Sequence, residues 1–262
     1  MGNLRSFTKL KNIMTPLYPF SQAGFIAVTL LYYALFILCI WRGIRQTDYR
    51  ERQQRTILFK ILVSLLLWFG LTAILSQAGF FSSFEKFPPP FFLLLIVPLA
   101  AIIYFISRPI TREILGRIPL QHLIYLQTFR IIVEVLLWML FMDNLVPVQM
   151  TFEGRNFDVL AGLTSIVMGY LVSRGRVNKQ IALIWNFICL GLLANIVTIA
   201  ILSTPTPMRV FMNEPANTIV TEFPIVFLPA ALVPLAYGLH FLSIIQLRDK
   251  GNTLNAFGRR GR

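Results

Sequence analysis

LQHLIYLQTFRIIVEVLLWMLFM, residues 120–142, is the stretch on which the reading of this chain turns. Its 23 residues, at about 1.5 Å each, are long enough for the ~30 Å hydrocarbon core of a bilayer. Yet the run carries Gln127, Arg130 and Glu134. An ionised side chain near the bilayer centre costs at least about 2.5 to 3.5 kcal/mol, so such groups turn towards other helices and find partners there. At 100° per residue the three lie within about 60° of one another, a single polar stripe continued by Trp138 and Phe141. Arg130 and Glu134 are spaced to pair along the helix. A buried ion pair of this kind can serve only to fix which helices meet, or it can handle an ion, a proton or a solute, and the stripe alone leaves both open.

Working outward, the whole chain is too apolar for a soluble domain. Of its 262 residues 56% are hydrophobic and 13% charged, and the mean hydropathy is +0.69. This composition predicts an all-α, polytopic transmembrane bundle. The net charge of +13 would suggest nucleic acid on a soluble surface. Here the basic residues cluster in short segments between apolar runs, which is a topology signal and makes nucleic acid an unexpected partner. Cys39 and Cys189 fall inside apolar runs, so neither a disulfide framework nor a metal site is expected.

Seven spans are expected, at about 23–41, 61–80, 91–107, 120–142, 159–172, 181–202 and 223–247, within a membrane domain of residues 22–248. The fifth is the shortest, and reaches across only if residues 156–158 and Ser173 join its helix. Residues 1–21, with Leu4, Phe7, Leu10 and Met14 at helical spacing beside Arg5, Lys9 and Lys11, suit a segment lying in the interface. Residues 249–262 form a basic tail of disordered composition. With the N-terminus outside and the C-terminus cytoplasmic, 17 of the 24 Lys and Arg fall on the cytoplasmic side. That is the orientation the positive-inside rule favours. The cytoplasmic segments would rest on anionic lipid, and the expected location is a bacterial cytoplasmic membrane.

Depth along the helices proposes partners for the stripe. Asn195 lies level with Glu134, while Asn186, about 180° away on the same helix, lies level with His240. A second constellation follows the fourth span: TFEGRNFD, residues 151–158. Asn156 or Asp158 can cap the next helix. Alternatively Arg155 grips an anion in an outward-facing pocket walled by Glu153, Asn156, Asp158, Asn213, Glu214 and Asn217. His122 and His240, on different helices, raise a b-type haem as a minor alternative, but no paired-histidine spacing supports it and no cofactor is expected. No Walker, His-Glu-x-x-His or Gly-x-Ser-x-Gly motif occurs, and the last span has no lysine for a Schiff base.

The run Met150 to Asp158, with Asn186, Asn195 and His240 downstream, resembles a family of uncharacterised bacterial multi-pass integral membrane proteins. The resemblance covers the second half of the chain and implies no activity. The sequence therefore predicts a transporter-like or solute- and ion-binding membrane protein, with no catalytic residues assigned. The alternatives are a non-catalytic membrane scaffold whose polar groups only fix helix pairing, and a membrane enzyme using Glu134 as acid or base.

Overall fold

A computed structural model describes residues 17–249, so most of the expected interfacial segment and nearly all of the basic tail lie outside the described residues. Every regular element among the described residues is helical. Two long helices, α1 (Leu17–Arg45) and α2 (Glu51–Gln77), come first. Then α3 (Leu93–Ile106) breaks at Ser107 into a short α4 (Pro109–Gly116), with a bend of 77°. Next come α5 (Leu120–Leu126) and α6 (Phe129–Met142), which are halves of one rod. They are followed by α7 (Asp158–Ser173), α8 (Lys179–Leu202) and α9 (Val233–Arg248), the last entered through a π-helical turn, Leu228–Leu232.

Among the described residues, five helices are long and apolar enough to cross a membrane: α1, α2, the α5–α6 rod, α8, and α9 with its π turn. The bent α3–α4 pair makes a sixth candidate, and α7 is a shorter apolar helix of 16 residues. Asp158 and Ser173 do belong to α7, but Asn156 does not. Three boundaries differ from the sequence expectation. Helix α1 runs unbroken through residue 21, because Pro19 sits in its first turn, where a missing N–H costs nothing. Helix α2 begins at Glu51, ten residues before its apolar run, with the Gln53 side chain accepting from the Arg50 N–H at 3.2 Å. And α4 went unforeseen: its eight residues bury Ile114 and Leu115 on one side and leave Arg112 and Glu113 exposed on the other.

The distribution of polarity is inverted relative to a water-soluble bundle. Leu66, Leu67 and Ile74 of α2 are each more than 60% exposed, while Gln127, Arg130, Glu134, Asn156, Asp158, Asn186 and His240 are buried. An apolar exterior around a polar interior is compatible with a membrane protein. The core joins α1, α5, α6, α8 and α9, and α2 stands at its edge with only Thr72 and Ser76 buried.

What brings α7 against the α5–α6 rod is a face of small residues. Asp158, Gly162, Ser165 and Gly169 recur at helical spacing and are all buried. A Cβ at Gly162 would meet the Ile131 backbone nitrogen at 3.0 Å and the Arg130 Cβ at 3.4 Å; at Gly169 it would meet the Tyr125 ring at 2.6 Å. Gly162→Ala should therefore cost about 1–3 kcal/mol of stability, read as a lowered thermal midpoint of the purified protein. Gly191→Ala is the control, since nothing lies within 4 Å of a Cβ there.

The last helix is irregular because of proline. Pro234 offers no N–H, which leaves the Ala230 carbonyl without its ordinary helical partner. The Trp68 indole N–H of α2 supplies one at 2.8 Å, and the Tyr33 hydroxyl of α1 donates to the neighbouring Ala231 carbonyl at 3.0 Å. Trp68 is thus an anchor for an otherwise loosely held helix. Trp68→Phe should cost about 1–3 kcal/mol, the price of an unpaired buried carbonyl, and should loosen α2 specifically, measurable as faster amide exchange along it.

Candidate functional site

The α5–α6 rod is not a continuous helix. At Gln127 and Thr128 the backbone tightens, with Gln127 N–H donating to the Ile124 carbonyl at 3.0 Å and Arg130 N–H to the Gln127 carbonyl at 3.2 Å. The Tyr32 hydroxyl of α1 meets the Thr128 hydroxyl at 2.9 Å, and Gln127 donates its amide to the Ala236 carbonyl at 3.2 Å. This turn delivers Arg130 and Glu134 to different neighbours.

Arg130 goes to Asp158. Its Nε donates to Asp158 Oδ2 at 2.6 Å and a terminal nitrogen donates to Oδ1, a bidentate pair with both side chains buried. Asp158 can reach so deep because it opens α7, the short helix, where its carboxylate also suits the positive end of the helix dipole. The same guanidinium approaches the Cys189 carbonyl of α8 at 3.4 Å and His240 Nε2 of α9 at 3.0 Å. A guanidinium only donates, so Nε2 must present its lone pair and the His240 proton must sit on Nδ1. That N–H then donates to Asn186 Oδ1 at 2.9 Å, and the Asn186 amide donates to the Ala182 carbonyl at 2.8 Å. The chain of bonds is self-consistent from end to end and makes His240 neutral. Four helices, α6, α7, α8 and α9, are tied by it.

Glu134 takes another route. Its Oε1 accepts from the Asn156 amide at 2.6 Å, which also donates to the Met150 carbonyl at 2.9 Å, while Asn156 Oδ1 receives the Asp158 N–H at 3.0 Å. Its other oxygen, Oε2, is buried and has no hydrogen-bond partner among the described residues. Glu134, Arg130 and Asp158 line an apolar slot of about 80 Å³. The slot runs along α8 from Leu193, one turn beyond the Cys189 carbonyl that Arg130 approaches, towards Thr204. Asn217 closes that far end: its N–H donates to the Ser203 carbonyl at 2.9 Å and its amide to the Ala200 carbonyl at 3.0 Å. Asn217 Oδ1, like Glu134 Oε2, is buried without a partner among the described residues. Leu137, Val197, Leu228 and Leu232 furnish apolar wall between the two.

Several expectations are corrected by this geometry. Arg130 and Glu134 make no hydrogen-bonded pair along the helix; each is held by a residue of the segment 156–158. Asn195 does not meet either of them, being exposed and donating to the Arg155 carbonyl at 2.9 Å. His122 is exposed and His240 has both ring nitrogens engaged, so the two histidines do not form an opposed pair. The predicted outer-face pocket splits in two. Asn156, Asp158 and Asn217 are core residues. Glu153, Arg155, Asn213 and Glu214 stay on the surface, where Trp138 donates to Glu153 at 2.7 Å and Asn213 donates to Gln149 at 2.7 Å. The Arg155 guanidinium lies over the Phe211 ring, 5.5 Å from its centre. Arg209 donates to Glu214 at 2.9 Å, and this bond holds that exposed carboxyl below its ordinary range.

The His240 bond to Arg130 and the inward turn of Asn217 were missed at sequence level. The Asp158, Gly162, Ser165, Gly169 face marks which side of α7 is buried, and so was the available signal that Asp158 turns inward. Asn217 carried none. Among the described residues no group of three or more His, Cys, Asp or Glu side chains is arranged to hold a metal ion.

Comparison with known proteins adds a family. Residues 88–248, more than half of the chain, match a domain of unknown function, DUF8737. No curated protein and no solved structure matches the chain.

Proposed function

We propose that this chain, which belongs to the DUF8737 family, is a seven-span protein of a bacterial cytoplasmic membrane that binds and passes a small polar solute, an ion or a proton at Glu134. The single observation that carries the reading is the unpartnered Oε2 of Glu134, a residue lining a slot whose walls are mainly apolar. Burying a carboxylate oxygen without a donor costs several kcal/mol. A fold that only needed to fix helix pairing would gain by dispensing with it.

Support for the topology comes from charge. The Arg-rich segments after α1, around α4 and after α7 fall on one side if α7 crosses, and the N-terminus is then outside and the C-terminus cytoplasmic. Helix α7, about 24 Å long at 1.5 Å per residue, spans with its N-terminus set below the outer surface, which is where Asp158 must be to reach Arg130. In this orientation Thr204 and Asn217 form the outer end of the slot and Glu134 its floor. The basic segments on the cytoplasmic side face anionic lipid.

The scaffold reading keeps one specific observation in its favour: the Arg130, Asp158, His240 and Asn186 chain is satisfied throughout and has the character of a helix tie. The two readings divide the polar interior between them, the tie holding the bundle and Glu134 serving the slot. Proton or monovalent-cation flux into vesicles carrying the purified protein, driven by an imposed gradient, tests this. Flux dependent on Glu134 is expected. A wild-type protein that is folded, correctly inserted and silent for every small solute tried contradicts transport.

A further inference from the structure

The charge count of the interior restricts what the slot can take. Arg130 contributes one positive charge, Asp158 one negative, and His240 none, because Arg130 holds its Nε2 as an acceptor and Nδ1 keeps the single proton. Those three cancel, so an ionised Glu134 leaves the cluster one negative charge in excess. An anion is disfavoured there and a cation is favoured.

The walls then decide between kinds of cation. A bare alkali ion needs a cage of oxygens in place of its hydration shell. The slot is lined mainly by Leu, Ile, Val, Phe and Ala side chains and offers few oxygens. An ammonium group needs fewer, and if it carries a short hydrocarbon body the apolar wall becomes an asset. The acceptors present are Glu134 Oε2, Asn217 Oδ1 and the Thr204 hydroxyl, which donates to the Ile201 carbonyl at 2.6 Å and keeps its lone pairs. Of these, Oε2 of an ionised Glu134 is the acceptor that calls for a charged donor, while Asn217 Oδ1 and the Thr204 hydroxyl belong to the opposite end of the slot. Size sets the remaining limit. A 150 Å³ apolar cavity accommodates benzene, so a slot of about 80 Å³ suits roughly three or four heavy atoms.

We infer that the slot between α6 and α8 is a binding site for a short primary alkylammonium ion. Its head donates to Glu134 Oε2, its hydrocarbon lies along Leu137 and Val197, and Asn217 with Thr204 forms the polar collar at the far end. This rests on the proposed function, since it names the class of solute for that same site.

The test uses the full-length protein purified in detergent at one fixed pH. Its thermal midpoint is followed against methylammonium and ethylammonium chloride, with potassium chloride as the ionic match and ethanol as the uncharged one. A saturable rise with the two ammonium salts alone is expected. Glu134→Gln should abolish it, and so should Ala200→Leu, which fills the slot without altering Glu134. No rise in the wild type, an equal rise with potassium chloride or ethanol, or a rise that survives both substitutions overturns the assignment. Glu134-dependent proton flux without any ammonium response would sink this inference and leave the proposed function standing. An ammonium response without flux of any solute would do the reverse.

Discussion

Asp158→Leu alone should destabilise the protein by about 3–5 kcal/mol, and adding Arg130→Met should return most of that loss. The single change strands a guanidinium that is 2% exposed, with only His240 Nε2 and a distant Cys189 carbonyl left to it. Its desolvation is then uncompensated, which is why breaking one half of a buried pair costs more than removing both. Arg130→Met alone should be nearly as damaging, because Asp158 keeps only its place at the α7 N-terminus and His240 loses its donor. Thermal or denaturant midpoints of the three variants in one detergent check the cycle. A loss for the double variant equal to the sum of the two single losses would mean that Arg130 and Asp158 are not coupled, and the tie between α6 and α7 would have to be sought elsewhere.

Glu134→Gln should behave in the opposite manner. The substitution keeps an oxygen for the Asn156 amide and removes a buried charge that has no donor at Oε2, so stability should be unchanged or raised by about 1–3 kcal/mol. Flux or solute binding, by contrast, should fall by about tenfold or more, since the interior loses its excess negative charge. A variant that gains stability while losing activity is what a strained functional group produces. Loss of both together, or of neither, would place Glu134 among the packing residues. Vesicle flux and the thermal midpoint, measured on the same preparations, separate these cases.

How much of this was legible beforehand differs between fold and site. The helical class and the order of the apolar runs follow from composition and periodicity, and the structure puts helices at all seven runs. Boundaries moved where polar residues extend a helix, as from Glu51 to Lys60, or where proline imposes irregularity, as at Leu228–Leu232. The burial of Gln127, Arg130 and Glu134 follows from the cost of charge in hydrocarbon alone. Their partners do not follow from it. Depth counted along straight helices selected Asn195, because depth fixes a level and not a face: Asn195 is exposed and donates to the Arg155 carbonyl, while Glu134 is buried. Read as a helix cap, Asp158 was not assigned to Arg130, although its place on the small-residue face of α7 marks it as inward-facing. Asn217 sits in an irregular segment without periodicity, so no pattern could say that it turned inward. The pairing of His240 with Asn186 was nearer to hand, since both lie at similar inner depth on their helices, and the structure joins them at 2.9 Å.

An electron-density map of the slot, at a resolution that shows ordered water, tests the proposed solute site at Glu134 most directly. Arg130 should be clasped by Asp158, with density for a solute or water within hydrogen-bond reach of Glu134 Oε2. A slot closed by side chains and dry, with both Glu134 oxygens bonded to Arg130 or to other protein groups, would contradict it.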